Sequence, residues 1–477
     1  MKYILILLLL FCSPVFAQEE NNHYEALLNS ENESDKKQLK KELYQLLDSE
    51  EEENWITAFQ YFHKLDDRKV ADSINVAMVE KFPLGIMARN QDLRKIMGEK
   101  DAQSKEALFQ TFMETFPPEN FKDGSMIYDY GLNSLATTLA SAKNSDKAIK
   151  YARMVEHPMM SSNTFVQVAD ILMTNGQREL ATELYVETIE KTKDYVDKAD
   201  PNNEEFAYVK MGLAGFMDKY AGILLEDGNA EKALTYLEKA HEISDEKGKV
   251  NLNGRYAKVL TALGREKEAF EKLAESYSHG LATEEMKEDM KALYFTYHEN
   301  GDYAAYIENL GKQLKSKLQV ELAEIMMDEP APQFSLKDLD GNTVSLASLK
   351  GKVVIIDFWA TWCGPCIKSF PSMKKAVNRF AENPDVAFLF VHTWETDKDP
   401  INSVKQFVSD NDYPFHVLMD LKNEDGKNEV VSAFGISGIP TKIILDKEGN
   451  IRFKVSGFSG GEDAAVEEIA MMIDLIG

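Results

Sequence analysis

The run Val353-Val354-Ile355-Ile356-Asp357-Phe358-Trp359 is apolar throughout except for one acid. Such a run, rich in β-branched and aromatic residues, reads as a buried central strand. It passes directly into Ala360-Thr361-Trp362-Cys363-Gly364-Pro365-Cys366, and helix-compatible residues follow from Ile367. Few folds place a buried strand, a CxxC and a helix in immediate succession, and the order points to an α/β domain with redox chemistry at a strand-to-helix turn. Cys363 would lie at the helix N-terminus, where unpaired N–H groups and the macrodipole favour a thiolate. Cys366 follows one turn on, close enough to close a disulfide and more deeply placed. Pro365 disturbs the helix little, because its missing N–H falls in the first turn.

Two other uses of a CxxC have to be weighed. Zinc would need two more ligands at suitable spacing. The chain has three cysteines in 477 residues, and the third, Cys12, lies in an apolar N-terminal stretch, while His392 and His416 have no paired spacing. A structural disulfide over so short a loop would stabilise little by the loop-entropy argument. The same cysteine count excludes a disulfide-stapled mini-protein. A formal charge of −26 argues against a general nucleic-acid binder.

The neighbouring segments make the pattern specific. Ala331-Pro332-Gln333-Phe334-Ser335-Leu336, the Asp340-Gly341 turn, Leu349-Lys350-Gly351-Lys352-Val353-Val354 and the stretch from Asp357 to Cys366 resemble the TlpA/ResA branch of the thioredoxin superfamily. Phe370-Pro371 fits a branch habit of placing proline in the first helix. Gly438-Ile439-Pro440-Thr441 matches the superfamily's cis-proline loop. Lys442 to Asp446, a Lys447-Glu448-Gly449-Asn450 turn and Ile451 to Val455 read as the closing hairpin. The resemblance covers residues 328–477. Branch members devoted to cytochrome c maturation often carry an acid soon after the second cysteine; here Ile367-Lys368-Ser369 stands there instead. Gly364-Pro365 between the cysteines is similar to reducing thioredoxins, at about −270 mV, rather than to strong oxidants at about −120 mV.

The resemblance implies roles. Cys363 is the expected nucleophile, forming a mixed disulfide that Cys366 resolves. Asp357 stands where thioredoxins keep a buried acid, and burial would raise its pKa so that it could take the Cys366 proton. Its alternative is a plain satisfied acid. Trp359 and Trp362 would pack around the disulfide, with a simple core role as the alternative for Trp359. Trp362, Gly364, Pro365, Ile439 and Pro440 are the expected substrate contacts. A cis Pro440 would set the Ile439 backbone edge beside Cys363, where an extended client could pair like an added strand. His392 and His416 read as core or surface residues. The expected cofactor set is empty apart from the redox disulfide, and no metal is expected.

Ahead of this domain the chain changes character. Residues 1–17, MKYILILLLLFCSPVFA, combine Lys2, an apolar core from Tyr3 to Phe11, Pro14 and a Val15-Phe16-Ala17 cleavage pattern. They read as a cleavable export signal, with an uncleaved anchor as the alternative. Phe11 before Cys12 argues against lipidation there. From Asp35 to Leu322 apolar residues recur at helical spacing. Met326 to Pro332, with two prolines, is the expected boundary. The acidity lies mainly before it: residues 330–477 carry 15 basic and 21 acidic residues, the rest 39 and 59. The Glu50–Glu53 run reads as a solvated loop or helix end.

Weak repeats run through the helical part. Gly176, Gly228 and Gly264 each stand five residues before Ala181, Ala233 and Ala269. Ala148 fits without its glycine, and Gly301 fits loosely with Ala305 or Tyr306. Twelve residues before the first four alanines stand Ala136, Ala169, Ala221 and Ala257. Paired small residues let antiparallel helices approach closely. The pattern resembles tetratricopeptide repeats with an insertion around Lys191 to Glu205, and residues 35–125 do not phase with it.

The expected organisation is therefore a signal at 1–17, an all-α helical-repeat region at 18–327 and an α/β thioredoxin-like domain at 328–477. The expected function is an exported protein-disulfide reductase of the periplasm or cell envelope, with the repeats docking clients or forming a homo-oligomer. Its expected partners are disulfide-containing proteins and a membrane electron donor of the DsbD/CcdA type. The alternatives are a non-catalytic scaffold or chaperone, and a disulfide oxidase or isomerase.

Overall fold

A computed structural model describes residues 16–477 except 31, 66, 122–125, 204, 299–300, 396, 398, 424–425 and 458–461. The expected export signal therefore lies outside the described residues, save for Phe16 and Ala17. Seventeen helices, α1 (Phe16–Leu28) to α17 (Tyr303–Ile325), precede the sheet among the described residues. No helix there is long and apolar enough to cross a membrane. By its contacts the chain divides into two units, 1–223 and 224–477. The second unit holds the later helices together with the sheet. The change from helix to strand falls between α17 and β1 (Glu329–Pro330).

In the first unit, α7 (Met126–Ser141) pairs with α8 (Ser145–Ala152), and α9 (Pro158–Thr174) with α10 (Arg178–Lys198). In the second unit, α14 (Asn253–Ala262) pairs with α15 (Glu266–Ser278) in the same way. Ala148, Ala181, Ala233 and Ala269 are all fully buried, as are Ala136, Ala169 and Ala221, with Ala257 nearly so. Within α7–α8, α9–α10 and α14–α15, a bulkier residue at these places would hold the paired helices apart. Gly176, Gly228 and Gly264 have φ of 80°, 76° and 71°. That left-handed turn ends one helix so the next can fold back. Before Ala148 the same conformation is taken by Lys143, at φ 62°. The 191–205 insertion is absorbed by the 21-residue α10 and the connection after it. The loose fifth member fits only in part: Ala305 is exposed and Gly301 is not left-handed, while Tyr306 packs against the core that holds Ala257 and Ala269.

The Glu50–Glu53 run is only partly the solvated helix end expected. Glu52 opens α3 (Glu52–Lys64), yet its carboxylate accepts hydrogen bonds from the backbone N–H of Ile86 (2.7 Å) and Met87 (2.9 Å). It thereby caps α5 (Ile86–Gly98), whose first N–H groups have no partner within the helix. Periodicity within one segment cannot reveal a cap supplied from 34 residues away.

The sheet has eight strands in the order β1-β8-β7-β4-β5-β6-β2-β3. The remaining strands are β2 (Ser335–Asp338), β3 (Thr343–Ser345), β4 (Val353–Trp359), β5 (Val386–His392), β6 (Val417–Met419), β7 (Thr441–Leu445) and β8 (Asn450–Ser456). Every residue of β4 is buried. It pairs in parallel with β5 and antiparallel with β7. β7 and β8 form the expected closing hairpin, with Gly449 at φ 91° in its turn. Gly341, at φ 86°, makes the expected turn between β2 and β3.

Alternation along β4 gives the sheet two apolar faces. Val353, Ile355 and Trp359 pack with Phe370, Met373 and Ala376 of α18 (Gly364–Arg379) and with Val466, Ile469, Met472 and Ile473 of α21 (Glu462–Ile476). Val354, Ile356 and Phe358 face the other way, onto Val430 and Val431 of α20 (Glu429–Ala433) and Phe434. Between β5 and β6 lies α19 (Pro400–Asp410), whose Val404 joins the first face. An all-α region followed by an α/β thioredoxin fold is the architecture the sequence predicts. Leu322 of α17, 2% exposed, belongs to the first of these cores.

Candidate functional site

β4 ends at Trp359, and the chain turns through Ala360–Cys363 into α18. Cys363 is the N-cap of that helix. Its backbone N–H donates to the carbonyl of Ala360 (3.1 Å), and its own carbonyl accepts the N–H of Ile367 (3.1 Å). Its Sγ accepts the backbone N–H of Cys366 at 3.2 Å. A sulfur there meets the positive end of the helix and an otherwise unpartnered donor, both of which favour negative charge on it. Cys363 and Cys366 are joined as a disulfide, with Cα atoms 5.3 Å apart. Cys363 keeps 3% of its surface and Cys366 none. Gly364 and Pro365 form the first turn. The helix continues through Pro371, which has no N–H to offer the carbonyl of Ile367.

Asp357 alternates with Trp359 on β4, so it lies on the face that α18 covers. It is 1% exposed. Burial pushes its carboxyl pKa up, and Lys442 works in the opposite direction. Lys442 comes from β7, directly opposite Asp357 in the ladder, and its Nζ stands 3.5 Å from Oδ2. Its side chain is 9% exposed. Glu468 of α21 is also raised by burial, and Lys442 and Lys247 oppose that shift. The acid was legible in the sequence; its lysine was not, because cross-strand neighbours are fixed by register.

Trp359 is fully buried. Its ring meets Phe370 at 5.0 Å and His392 at 4.9 Å, both edge-on. Trp362 is 50% exposed, so only one of the two tryptophans is enclosed with the disulfide. Its indole Nε1–H donates to the carbonyl of Trp394 (3.0 Å). The peptide bond between Ile439 and Pro440 is cis. Thr441 pairs with Phe358, which sets the 438–440 loop at the carboxyl end of β4, and Ile439 packs against the cluster holding both cysteines. The structure thus brings Cys363, Cys366, Trp362, Gly364, Pro365, Ile439 and Pro440 to one end of the sheet, with Asp357 beneath. His416 lies elsewhere, half exposed and 3.8 Å from Asp338.

Sequence reasoning missed Glu395. Its Oε2 accepts the hydroxyl of Thr361 (2.6 Å) and lies 3.1 Å from Nε2 of His392. Burial lowers the pKa of His392, and Glu395 opposes this. Glu395 follows a strand in a short polar loop, and no local pattern distinguishes it from a solvated acid. Among the described residues no three His, Cys, Asp or Glu side chains cluster as a metal site.

Residues 326–469 match the Redoxin family. Thiol-disulfide oxidoreductase ResA of Bacillus thuringiensis subsp. konkukian (strain 97-27) is 33% identical over 127 residues, covering 27% of this chain and 68% of the relative. Thioredoxin-like protein YneN of Bacillus subtilis (strain 168) is 36% identical over 140 residues, or 29% of this chain and 75% of the relative. A crystal structure of a thiol:disulfide interchange protein of the thioredoxin family, from Chlorobium tepidum TLS, shares 28% identity over 31% of this chain and 97% of its own, at a TM-score of 0.26.

Proposed function

The chain belongs to the ResA-like thiol-disulfide oxidoreductases of the thioredoxin superfamily, and from that premise we propose that it is an exported reductase of protein disulfides. The observation that carries this reading is Cys363 as the N-cap of α18, disulfide-bonded to Cys366 on a helix beginning Gly364-Pro365. In the reduced protein the Cys363 thiolate attacks a client disulfide. One client sulfur leaves as a thiolate, and a mixed disulfide forms. Cys366 gives its proton to Asp357 and attacks Cys363 Sγ. The Cys363–Cys366 disulfide forms, the second client sulfur leaves and is protonated, and two electrons have passed to the client. A membrane thiol-transfer donor of the DsbD/CcdA type then returns two electrons. No cofactor beyond the disulfide is invoked.

Trp362 and the backbone at Ile439-Pro440 take the client segment, which lies along the sheet end as an added strand. The helical hairpins resemble tetratricopeptide repeats and dock clients, and they also offer a surface for self-association. Export to the periplasm or cell envelope rests on the 1–17 pattern.

The purified chain should reduce insulin with dithiothreitol, and Cys363→Ser should abolish this. A wild-type chain indistinguishable from Cys363→Ser would sink the reading and favour a non-catalytic scaffold. Cys366→Ser should hold clients as covalent adducts, because the resolving thiol is gone. A reduction potential near that of strong oxidants would redirect the proposal to an oxidase or isomerase.

A further inference from the structure

β4 and β5 run in parallel, with Trp359 opposite His392, and the N–H of Thr393 donates to the Trp359 carbonyl (2.9 Å). The segment 393–395 therefore continues alongside the turn 360–362 that leads to Cys363. Two side-chain contacts fasten the two, and a third holds the acid that makes one of them. Thr361 Oγ1–H donates to Glu395 Oε2 at 2.6 Å, and His392 Nε2 lies 3.1 Å from the same oxygen. Trp362 Nε1–H donates to the carbonyl of Trp394 at 3.0 Å. Trp394 presents that carbonyl from a left-handed backbone, φ 53°, a conformation that a bulky aromatic residue adopts only under constraint. The Glu395 side chain is only 9% exposed. Burying a carboxylate is unfavourable unless its hydrogen bonds are made. The strained Trp394 backbone holds the exposed Trp362 and the buried Glu395 holds its neighbour Thr361, so both fasten the turn that leads to the nucleophile, and such outliers cluster where a site must be held in place.

We propose that Glu395 is a positioning residue: with the Trp394 carbonyl, it fixes Trp362 and the Thr361–Cys363 turn as a rigid platform for the client chain, and so favours protein disulfides over small ones. The proposal rests on the reductase reading and deepens it. A small disulfide needs only the Cys363 sulfur, whereas a polypeptide needs the indole in a set place. Immobilising Trp362 beforehand removes an ordering cost that binding would otherwise carry.

The test compares reduction of insulin with the reaction of the reduced protein toward the small disulfide 5,5′-dithiobis(2-nitrobenzoate). Glu395→Ala should lower the ratio of insulin kcat/KM to the small-disulfide rate by about tenfold, the size expected for hydrogen bonds to a charged group, chiefly through KM. Glu395→Gln, which keeps an oxygen for Thr361, should restore most of the ratio. Thr361→Val removes the donor from the other side and should shift the ratio the same way, so the question stays decidable if Glu395→Ala folds poorly. Equal losses toward both disulfides would show a merely structural role and overturn the proposal, as would an unchanged ratio in both Glu395→Ala and Thr361→Val. Wild-type protein inert toward insulin would overturn the reductase reading and this inference with it; active wild type with an unmoved ratio overturns this inference alone.

Discussion

In the proposed mechanism, the pairing of Asp357 with Lys442 sets how the resolving thiol responds to pH. Burial raises the Asp357 pKa and Lys442 opposes the rise. Below that pKa the carboxyl already holds a proton and cannot accept another, so resolution by Cys366 slows as pH falls through it. Asp357→Asn removes the acceptor. The rate of client release from a preformed mixed disulfide should drop on the order of a hundredfold at neutral pH and lose that acid limb. Lys442→Met removes the opposing cation, so the Asp357 pKa rises further and the limb moves to higher pH. A limb that moves to lower pH, or stays put, would refute the pairing's control of the acid. At this scale the sequence displayed the proposed reacting groups: motif spacing names Cys363 and Cys366, and the family resemblance names Asp357. It hid Lys442 and Glu395, which reach the site from β7 and from the loop after β5 through sheet register alone.

Caps and turns decide where elements begin and end. Glu52 satisfies two N–H groups at the start of α5, and Gly85 just before them leaves room for its carboxylate. A Cβ at Gly85 would collide with that carboxyl group. Glu52→Ala should lower stability by about 1 kcal/mol, and Gly85→Ala should lower it at least as much, by displacing the same cap. Urea titration of the full chain followed by circular dichroism reads both. If Gly85→Ala were neutral, the contact would not be maintaining the cap. The hairpin turns show a related limit of legibility. Gly176, Gly228 and Gly264 announce a left-handed turn, whereas Lys143 adopts it without the residue that advertises it. Ala148 could still be phased because burial demands a small residue there whatever the turn carries. The fifth turn failed the rule, since a glycine alone does not oblige the chain to turn left-handed.

Across the whole molecule, the switch from helical to strand periodicity near residue 328 was readable from composition and proline alone. What composition could not show is that Leu322, ahead of that point, lies among Val353, Val466, Ile469, Met472 and Ile473. Met327 also exchanges hydrogen bonds with Arg452: its N–H donates to the Arg452 carbonyl, and the Arg452 Nε–H donates to its carbonyl. Leu322→Ala should destabilise the sheet domain by about 3 kcal/mol, in the range for a leucine removed from a packed core. A fragment beginning at 328 should melt below one beginning at 303. Equal melting temperatures would mean the α17 contact contributes nothing to the fold. Anyone grafting this oxidoreductase onto another carrier, or replacing its helical array, therefore faces a seam that does not coincide with the change in secondary structure. The transplantable piece includes α17, and a cut at the prolines would leave the recipient with an open wound in its core.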